Sequence, residues 1–374
     1  MAGNVYIFAG GGTGGHLYPG LAVAEALAKR DPAGRMVFAC SNRPIDRRIL
    51  DPLPYAIVPQ PVRPFPGKPS GWPGFLWAWA KSASLSRRLL ADLKPKAVLG
   101  LGGFAAGPVI SAAASRGIPV ALLNPDAVPG KANRLLAGKA DVIFTQFEAT
   151  TNVFPPDLHE RIRCVGCPIR SLFGAATRDE ALQHFGLRGD RKTLLVFGGS
   201  LLAEALSEAV GQLVGDLGTL AHTWQVLHIT GSSKAEAIDQ ALRGAGLHTR
   251  TQGFCDRMDL AYAASDLVLS RAGAVTVAEL AATGRPGVLM PYPYHADQHQ
   301  RLNAAALVDC GCAIVCPDSK NAADNAATLR GRMLPLMRDI PALDRMAAAA
   351  RKFQGRRAAE NVADWLLAAG ASEG

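Results

Sequence analysis

The chain has 374 residues, of which 49% are hydrophobic and 19% charged, and it carries a formal charge of +9. This composition favours a folded protein of two domains and, with an odd number of cysteines in so long a chain, excludes a framework of disulfides. The positive charge favours an anionic partner, which nucleic acid, an acidic membrane surface or a phosphorylated substrate would each provide.

The first predicted strand, residues 5–8, leads into a glycine-rich loop, residues 10–15, and then into a helix. The loop has the GxGxxG spacing that lets backbone N–H groups approach a phosphate. A dinucleotide site also needs a carboxylate about 20 residues further on, but residues 40–43 read Cys-Ser-Asn-Arg. NAD and FAD are therefore disfavoured, and we expect no cofactor. No basic segment with an apolar core precedes the strand, so we expect a cytoplasmic protein without a secretory signal.

His16 ends this loop at the start of the predicted helix. The positive end of the helix dipole disfavours imidazolium there, so the ring is expected to be neutral and able to accept a proton as a general base. A histidine that only hydrogen-bonds the backbone of the loop is the alternative.

A proline-rich segment, residues 52–74, precedes a stretch in which aromatic and basic side chains alternate. Trp72, Trp77 and Trp79 are followed by Lys81 and the arginines 87 and 88. Aromatic rings at the level of lipid headgroups, with cations beside them, are typical of a membrane-docking surface. A core helix with a solvated basic end is the alternative, and composition does not decide between the two.

The second half of the chain repeats the pattern of a strand and a glycine loop at residues 194–200 and again at residues 267–273. Gly273 permits a sharp turn, after which the N–H groups of Ala274, Val275 and Thr276 begin a helix and suit a diphosphate. Glu279, one turn further on, could accept both hydroxyl groups of a ribose. A glutamate that only complements the helix dipole is the alternative.

The segment 291–300 is rich in tyrosine, histidine and amide side chains and follows a predicted strand. Groups that both donate and accept suit a hydroxyl-rich ligand. Together with Glu279 this segment predicts a pocket for a nucleotide sugar.

Two groups of cysteines, 164 with 167 and 310 with 312 and 316, have spacings that invite comparison with zinc sites. Neither repeats as the paired CxxC of a zinc ribbon. Small buried hydrophobic residues are the favoured interpretation, and we expect no bound metal.

Short apolar runs alternate with helical patterns along the whole chain, which predicts the α/β class with parallel, doubly wound sheets. We expect two Rossmann-like domains, residues 1–165 and 166–354, with the final helical segment, residues 355–374, a candidate to pack back on the first. The expected strands are residues 5–8, 36–40, 97–101, 120–123 and 142–145 in the first domain, and 193–197, 224–229, 267–269, 287–290 and 313–316 in the second.

Four motifs, in order and spacing, resemble the MurG family of peptidoglycan glycosyltransferases. They are residues 11–22, residues 102–108, residues 270–276 with Glu279, and residues 297–304. The resemblance spans nearly the whole chain and implies a GT-B fold, with the acceptor bound by the first domain, the donor by the second, and a cleft between them. It also implies transfer of N-acetylglucosamine from UDP-GlcNAc to lipid I, a lipid-linked muramyl pentapeptide.

The resemblance also implies binding roles for specific residues. On the donor side it implies Arg170, Ser200, Phe254, Cys255, Ala274, Val275, Thr276, Glu279, His299 and Gln300. On the acceptor side it implies Thr13, Gly14, Gly15, Gly103, Phe104 and Asn124. Three segments depart from the family pattern: residues 123–126 read Leu-Asn-Pro-Asp where His-Glu-Gln-Asn is usual, residues 198–202 end in Leu-Leu instead of Gln-Gly, and Cys167 replaces an asparagine.

We therefore expect an inverting transferase in which His16 is the base and Asp126 the reserve candidate, because Asp126 is the carboxylate of the changed segment. The expected partners are UDP-GlcNAc, the lipid-linked acceptor and the anionic inner membrane surface, without nucleic acid. The expected location is the cytoplasmic face of the membrane. A transferase with another lipid or glycan acceptor, a catalytically silent UDP-sugar-binding paralogue and a sugar-nucleotide 2-epimerase are the alternatives.

Overall fold

The protein is described from a computed structural model that covers residues 3–198, 203–352 and 357–370. The chain divides into two compact units, Met1–Arg170 with Arg356–Gly374, and Ser171–Gly355. Each unit contains a parallel sheet with helices on its faces. The predicted α/β class with doubly wound parallel sheets is confirmed.

The first unit is built on a parallel sheet in the order β3-β2-β1-β4-β5-β6-β7. Its strands are β1 (Val5–Gly10), β2 (Arg35–Ala39), β3 (Ala56–Ile57), β4 (Ala97–Gly102), β5 (Val120–Asn124), β6 (Val142–Thr145) and β7 (Ile162–Cys164). Its helices up to residue 170 are α1 (Gly14–Arg30), α2 (Pro44–Leu50), α3 (Trp72–Leu93), α4 (Ala106–Ala114) and α5 (Lys131–Leu136), with short 3-10 turns between them. Along β1 the side chains of Tyr6 and Phe8 pack on one face of the sheet and those of Ile7 and Ala9 on the other, so the strand is apolar throughout.

The second unit has a parallel sheet in the order β10-β9-β8-β11-β12-β13. Its strands are β8 (Lys192–Phe197), β9 (Trp224–Ile229), β10 (His248–Gln252), β11 (Leu267–Ser270), β12 (Gly287–Leu289) and β13 (Ala313–Val315). Its helices are α6 (Arg178–Phe185), α7 (Ala203–Gln212), α8 (Val214–Gly218), α9 (Ala235–Gly244), α10 (Met258–Ala264), α11 (Ala274–Thr283), α12 (His299–Asp309), α13 (Ala322–Arg338) and α14 (Ile340–Lys352).

The last helix, α15 (Ala358–Ala368), belongs to the first unit. Val362, Ala363 and Leu366 are buried in the same hydrophobic core as α1. The Trp365 ring meets Phe144 of β6 edge-on with centroids 6.3 Å apart. An ion pair of 2.7 Å also joins Asp364 to the end of α1. The chain thus returns to its starting unit after completing the second.

Both sheets reverse their strand order at one point, between β1 and β4 in the first unit and between β8 and β11 in the second. Loops that follow the carboxyl ends of neighbouring strands diverge at such a point and leave a crevice where ligands bind in this class of fold. The glycine loops identified in the sequence follow β1, β4, β8 and β11.

The helix α3 presents its large side chains outward. Its buried positions, Ala78, Ser82, Ser86 and Leu90, form a narrow inner stripe of mostly small side chains. Leu76 is 56% exposed and Trp77 62% exposed. In the part of the chain that the structure describes, no helix combines the length and hydrophobicity needed to cross a membrane.

Candidate functional site

His16 lies in the first turn of α1 and is held by the loop that precedes it. Its Nδ1 is 3.2 Å from the carbonyl oxygen of Gly11 and 3.1 Å from Oγ1 of Thr13. Because a carbonyl oxygen can only accept, we assign the proton to Nδ1, which leaves Nε2 as an acceptor. Burial lowers the pKa of His16, although the charges of Asp126 and Asp46 oppose this effect. A neutral ring with a basic Nε2 is what a general base requires.

The loop between β4 and α4 packs against the His16 ring. Gly102 and Gly103 have φ angles of +94° and +75°, which favour glycine. A Cβ on Gly103 would lie 2.6 Å from the Gly11 carbonyl oxygen, so glycine is also required by the close approach of the two loops. The structure thus brings Gly103 and Phe104, both predicted from the sequence, to the same place as His16.

The start of α1 lies open beside this histidine. Thr13 is exposed and its side chain pairs with His16 instead of capping the helix. The first N–H groups of a helix have no partners within it. Gly14 and Gly15, both predicted acceptor contacts, therefore present N–H donors that suit an anionic group.

Asn124, at the end of β5, is buried and shapes the loop that carries Asp126. Its Nδ2 donates to the backbone carbonyl of Asp126 at 2.7 Å, and its Oδ1 accepts from Nδ2 of Asn133 at 3.1 Å. The side chain predicted to bind the acceptor is thus engaged within the protein. Asp126 itself is half-buried, and its charge raises the pKa of His16.

The sequence did not identify two residues of this region, Asp46 and Arg43. Both Asp46 carboxylate oxygens accept from the Gly12 N–H, at 2.7 and 2.9 Å. The Arg43 guanidinium donates to the Gly12 carbonyl at 3.2 Å and lies 5.0 Å from the centroid of the Phe104 ring. Both lie in residues 43–51, a segment with several charged side chains in which no local pattern marks either one.

In the second unit, α11 begins directly after Gly273, whose extended backbone (φ −65°, ψ 149°) turns the chain from β11 into the helix. Its first turn contains no acidic residue, so Ala274, Val275 and Thr276 offer an electropositive helix start. Ser200, predicted to lie beside it, falls outside the described residues.

Glu279 lies on the next turn of α11 and faces Tyr262 of α10. The Tyr262 hydroxyl donates to Oε2 of Glu279 at 3.0 Å. Burial raises the pKa of Glu279 to about 8, and the hydrogen bond from Tyr262 opposes this effect. The carboxyl group can therefore exist in either protonation state near neutral pH.

Phe254 and Cys255 follow β10 and precede α10. Phe254 is half-buried and Cys255 is buried, and burial raises the pKa of the Cys255 thiol. Arg257 fixes the start of α10 by pairing through two nitrogens with buried Asp259, at 2.9 and 2.7 Å.

The polar segment after β12 forms a column of rings. The His295 and His299 rings stack with centroids 4.3 Å apart, and Tyr292 meets His295 at 4.8 Å. Gln300 is buried and accepts the Tyr292 N–H at 2.9 Å, so this amide shapes the loop. His299 donates to Asp297 through Nδ1 at 2.8 Å. Burial opposes ionisation of Asp297, but the hydrogen bonds from His299 outweigh it and lower the pKa of that carboxyl.

Arg170, predicted to lie on the donor side, ends the first unit and pairs with Glu25 of α1 at 2.7 Å. The Sγ atoms of Cys310 and Cys312 lie 2.7 Å apart at the turn between α12 and β13. Within the described ranges, no group of three or more His, Cys, Asp or Glu side chains is arranged to hold a metal ion.

Comparisons with known proteins find a family match in each half of the chain. Residues 6–145 match the Glycosyltransferase family 28 N-terminal domain, and residues 193–362 match the Glycosyltransferase family 28 C-terminal domain. The UDP-N-acetylglucosamine--N-acetylmuramyl-(pentapeptide) pyrophosphoryl-undecaprenol N-acetylglucosamine transferase of Chlorobaculum tepidum is 37% identical over 372 residues, which cover 97% of this chain and 98% of that protein.

Solved structures with a similar fold cover nearly the whole chain. The crystal structure of Acinetobacter baumannii MurG has a TM-score of 0.73 at 26% identity, covering 97% of this chain and 99% of that one. A UDP-GlcNAc 2-epimerase from Neisseria meningitidis, solved with UDP-GlcNAc bound, has a TM-score of 0.66 over 97% of this chain and 99% of its own. At 13% identity the epimerase shares the fold alone.

Proposed function

Since this chain belongs to the MurG family of UDP-N-acetylglucosamine–N-acetylmuramyl-(pentapeptide) pyrophosphoryl-undecaprenol N-acetylglucosamine transferases, within glycosyltransferase family 28, we propose that it converts lipid I to lipid II in peptidoglycan synthesis. It moves N-acetylglucosamine from UDP-GlcNAc to the muramyl sugar of the lipid-linked acceptor. The observation that carries the proposal is His16, whose Nδ1 is turned to the Gly11 carbonyl so that Nε2 can accept a proton.

On the acceptor side, the open start of α1 would hold the diphosphate of the lipid-linked sugar at Thr13, Gly14 and Gly15. Nε2 of His16 takes the proton of the attacking 4-hydroxyl. The oxygen of that hydroxyl forms a bond to the anomeric carbon of N-acetylglucosamine while the bond from this carbon to the UDP oxygen breaks. UDP leaves with the bonding electrons, and the configuration at the anomeric carbon is inverted.

On the donor side, the carboxylate of Glu279 would accept the two ribose hydroxyls of UDP. The N–H groups of Ala274, Val275 and Thr276 would meet the negative charge that grows on the diphosphate as it leaves. The loop of Phe254 and Cys255 would border the uracil, and His299 would contact the N-acetylglucosamine hydroxyls. Arg170 and Ser200 remain predicted donor contacts, and Gln300 would act through the loop that it shapes.

We also propose that the protein works at the cytoplasmic face of the membrane, as its lipid-linked acceptor requires. The support is the outer face of α3, where Trp72, Leu76 and Trp77 are exposed and the Lys81 ammonium lies 5.0 Å from the centroid of the Trp77 ring. Rings and aliphatic groups of this kind enter the headgroup region while cations meet anionic lipid.

A different lipid or glycan acceptor is the second candidate, and the segment 123–126 favours it. The charge of Asp126 raises the pKa of His16. Asp126 lies on a loop whose sequence departs from the family pattern. A changed loop beside the base is where acceptor choice would be altered.

Transfer of radiolabelled N-acetylglucosamine from UDP-GlcNAc to a lipid I analogue tests the proposal. We expect lipid II from the wild type and a loss of roughly 10²–10⁴-fold in kcat for His16→Ala, the usual contribution of a general base. Asp126→Ala is the parallel test of the reserve base. His222→Ala, an exposed histidine of the second unit, is the control and should keep the wild-type rate.

The outcomes separate the parts of the proposal. A wild-type enzyme that makes no lipid II but glycosylates another acceptor would establish the second candidate. Full activity of His16→Ala with an inactive Asp126→Ala would move the role of base to Asp126. Product formed from UDP-GlcNAc without any acceptor would instead indicate an epimerase.

A further inference from the structure

Asp46 is a fully buried carboxylate that the mechanism above does not use. It lies in the first turn of α2, and both of its oxygens accept from the N–H of Gly12. The Ser41 hydroxyl donates to Oδ2 at 2.5 Å. A carboxyl group that only accepts, at both oxygens, is bonded as an ionised carboxylate. The chain therefore places a negative charge directly behind the glycine loop.

The Gly12 N–H and the Gly11 carbonyl belong to one peptide group. In a trans peptide these two bonds point in opposite directions, and the structure contains no cis peptide bond among its described residues. One end of this peptide group meets Asp46, at 2.7 Å, and the other meets Nδ1 of His16, at 3.2 Å. Asp46 and His16 are thus the two ends of one hydrogen-bonded chain with a single peptide group between them.

We propose that Asp46 is a positioning residue that orients and polarises His16 through the Gly11–Gly12 peptide. This inference rests on the proposed function of His16 as the base. A carboxylate that accepts from the N–H draws negative charge towards the carbonyl oxygen, and hydrogen bonds in such a chain strengthen one another. The carbonyl then holds the proton on Nδ1, keeps Nε2 as the acceptor and stabilises the imidazolium that forms when Nε2 takes the acceptor proton.

The packing of the loop supports this role. A Cβ on Gly11 would lie 2.6 Å from Oδ2 of Asp46, so the carboxylate reaches the peptide only because residue 11 is glycine. The Arg43 guanidinium donates to the next carbonyl, that of Gly12, at 3.2 Å. The Gly11–Gly12 peptide is thereby fixed in one orientation before any ligand binds.

The charged groups around His16 come from two elements. Asp46 and Arg43 lie on or beside α2, and Asp126 lies on the loop after β5. The loop after β4 contributes Gly102 and Gly103, which carry no charge. Removing the charge of Asp46 therefore leaves Asp126 as the acidic neighbour that raises the pKa of His16, and that pKa is expected to fall.

The first test uses the wild-type protein with ¹⁵N-labelled histidine and no substrate. The ring signals of His16, assigned by their loss in His16→Gln, should report a proton on Nδ1 in the neutral form. A neutral ring with its proton on Nε2 would overturn the proposal. Because this measurement needs no turnover, it stands even if the transfer assay fails and the proposed function is wrong.

The second test is Asp46→Asn, in which the side-chain carbonyl can still accept the Gly12 N–H while the charge is removed. We expect kcat to fall by about 10–100-fold, by analogy with the loss of a hydrogen-bond partner that orients a metal-bound histidine, with KM for UDP-GlcNAc unchanged. The acidic limb of the pH profile of kcat/KM should move to lower pH, because the base stays neutral at lower pH when its pKa falls.

The matched control is Asp141→Asn. Asp141 also accepts a backbone N–H, that of Val120 at 2.8 Å, in the same unit and away from His16. It should keep the wild-type kcat and pH profile. Equal effects of the two substitutions, or an unmoved acidic limb in Asp46→Asn, would reduce Asp46 to a structural residue. Should Asp46→Asn fail to fold, a wild-type His16 ring with its neutral-form proton on Nε2 would still overturn the proposal.

Discussion

The carboxyl group of Glu279 illustrates how one partly buried side chain links stability to ligand binding. Burial beside Tyr262 raises its pKa to about 8 from an ordinary value of 4.5. Between these two pH values the unfolded chain has lost its proton and the folded chain keeps it. The stability that this group contributes is therefore fully present below about pH 4.5 and is lost as the pH rises through 8.

Glu279→Gln should remove this pH dependence, because the amide does not ionise and can still accept from Tyr262. We expect equal melting temperatures for the variant and the wild type at pH 5 and a more stable variant at pH 8.5. Each unit of pKa shift corresponds to about 1.4 kcal/mol. Thermal unfolding followed by circular dichroism at the two pH values provides the measurement.

The same variant should bind the donor more weakly, because a neutral amide accepts two ribose hydroxyls less well than a carboxylate does. An increase of about tenfold in KM for UDP-GlcNAc is expected, corresponding to about 1.4 kcal/mol. A variant with an unchanged KM and a more stable fold at pH 8.5 would leave Glu279 as a residue of stability alone.

Among single residues, the sequence predicted those that lie within short motifs. His16, Thr13 and the glycines are consecutive or nearly so, and their spacing is sufficient to place them at a helix start. Asp46 lies 34 residues from the peptide that it holds. Its role depends on how α2 packs beside α1 and the glycine loop, which no local pattern in a single sequence reveals. Asn124, which the family resemblance implies on the acceptor side, has its amide hydrogen-bonded within the protein, a contact that the sequence alone does not show.

Among the elements, α3 is the one whose interpretation composition left open. Its buried stripe includes Ser82 and Ser86, whose hydroxyls both donate to Oε1 of Gln60, at 2.7 and 3.4 Å. Small side chains bring the helix close to its neighbours and leave the large ones outside. The Trp79 ring is partly exposed and approaches Gly107 of α4, so it also contributes to packing. The outermost side chains, Leu76 and Trp77, are therefore the ones to replace in a test of membrane docking.

We expect Leu76→Glu with Trp77→Glu to weaken sedimentation with anionic phospholipid vesicles by at least about tenfold. Burying one leucine is worth about 1.5–3 kcal/mol, and the two carboxylates add repulsion from the anionic surface. The melting temperature should not change, because both side chains are more than half exposed. Leu302→Glu, on an exposed position of the second unit, is the control. Unaltered sedimentation of the double variant would remove this face of α3 from membrane docking.

Across the whole molecule, the sequence predicted the apolar strands and missed the polar or short ones. The expected strand at residues 224–229 coincides with β9, which is buried along its whole length and mostly apolar, although Gln225 and His228 interrupt the apolar residues. β10 reads His-Thr-Arg-Thr-Gln and lies at the edge of its sheet, where one side of the strand meets solvent. β3 has two residues and follows no periodicity long enough to detect. β3 and β10 are defined by their pairing with β2 and β9, which a local sequence pattern does not show.

Two separate cores suggest that the molecule should unfold in two steps with different responses to ligand. Leu366 is buried in the core of the first unit and Met333 in that of the second. In differential scanning calorimetry, Leu366→Ala should lower one transition and Met333→Ala the other, since each substitution removes about 2–5 kcal/mol of core packing. These two variants assign the transitions to the units.

UDP should then raise only the transition that Met333→Ala lowers, because the proposed donor residues, Glu279 above all, lie in the second unit. At 100 times its dissociation constant, a ligand adds about 2.7 kcal/mol to the state that binds it, which for a domain of this size is roughly 5–10 °C. Glu279→Gln should reduce this rise at the same UDP concentration. A rise confined to the transition that Leu366→Ala lowers would place the nucleotide on the first unit and contradict the assignment of the donor site, because binding free energy stabilises the unit that holds the ligand.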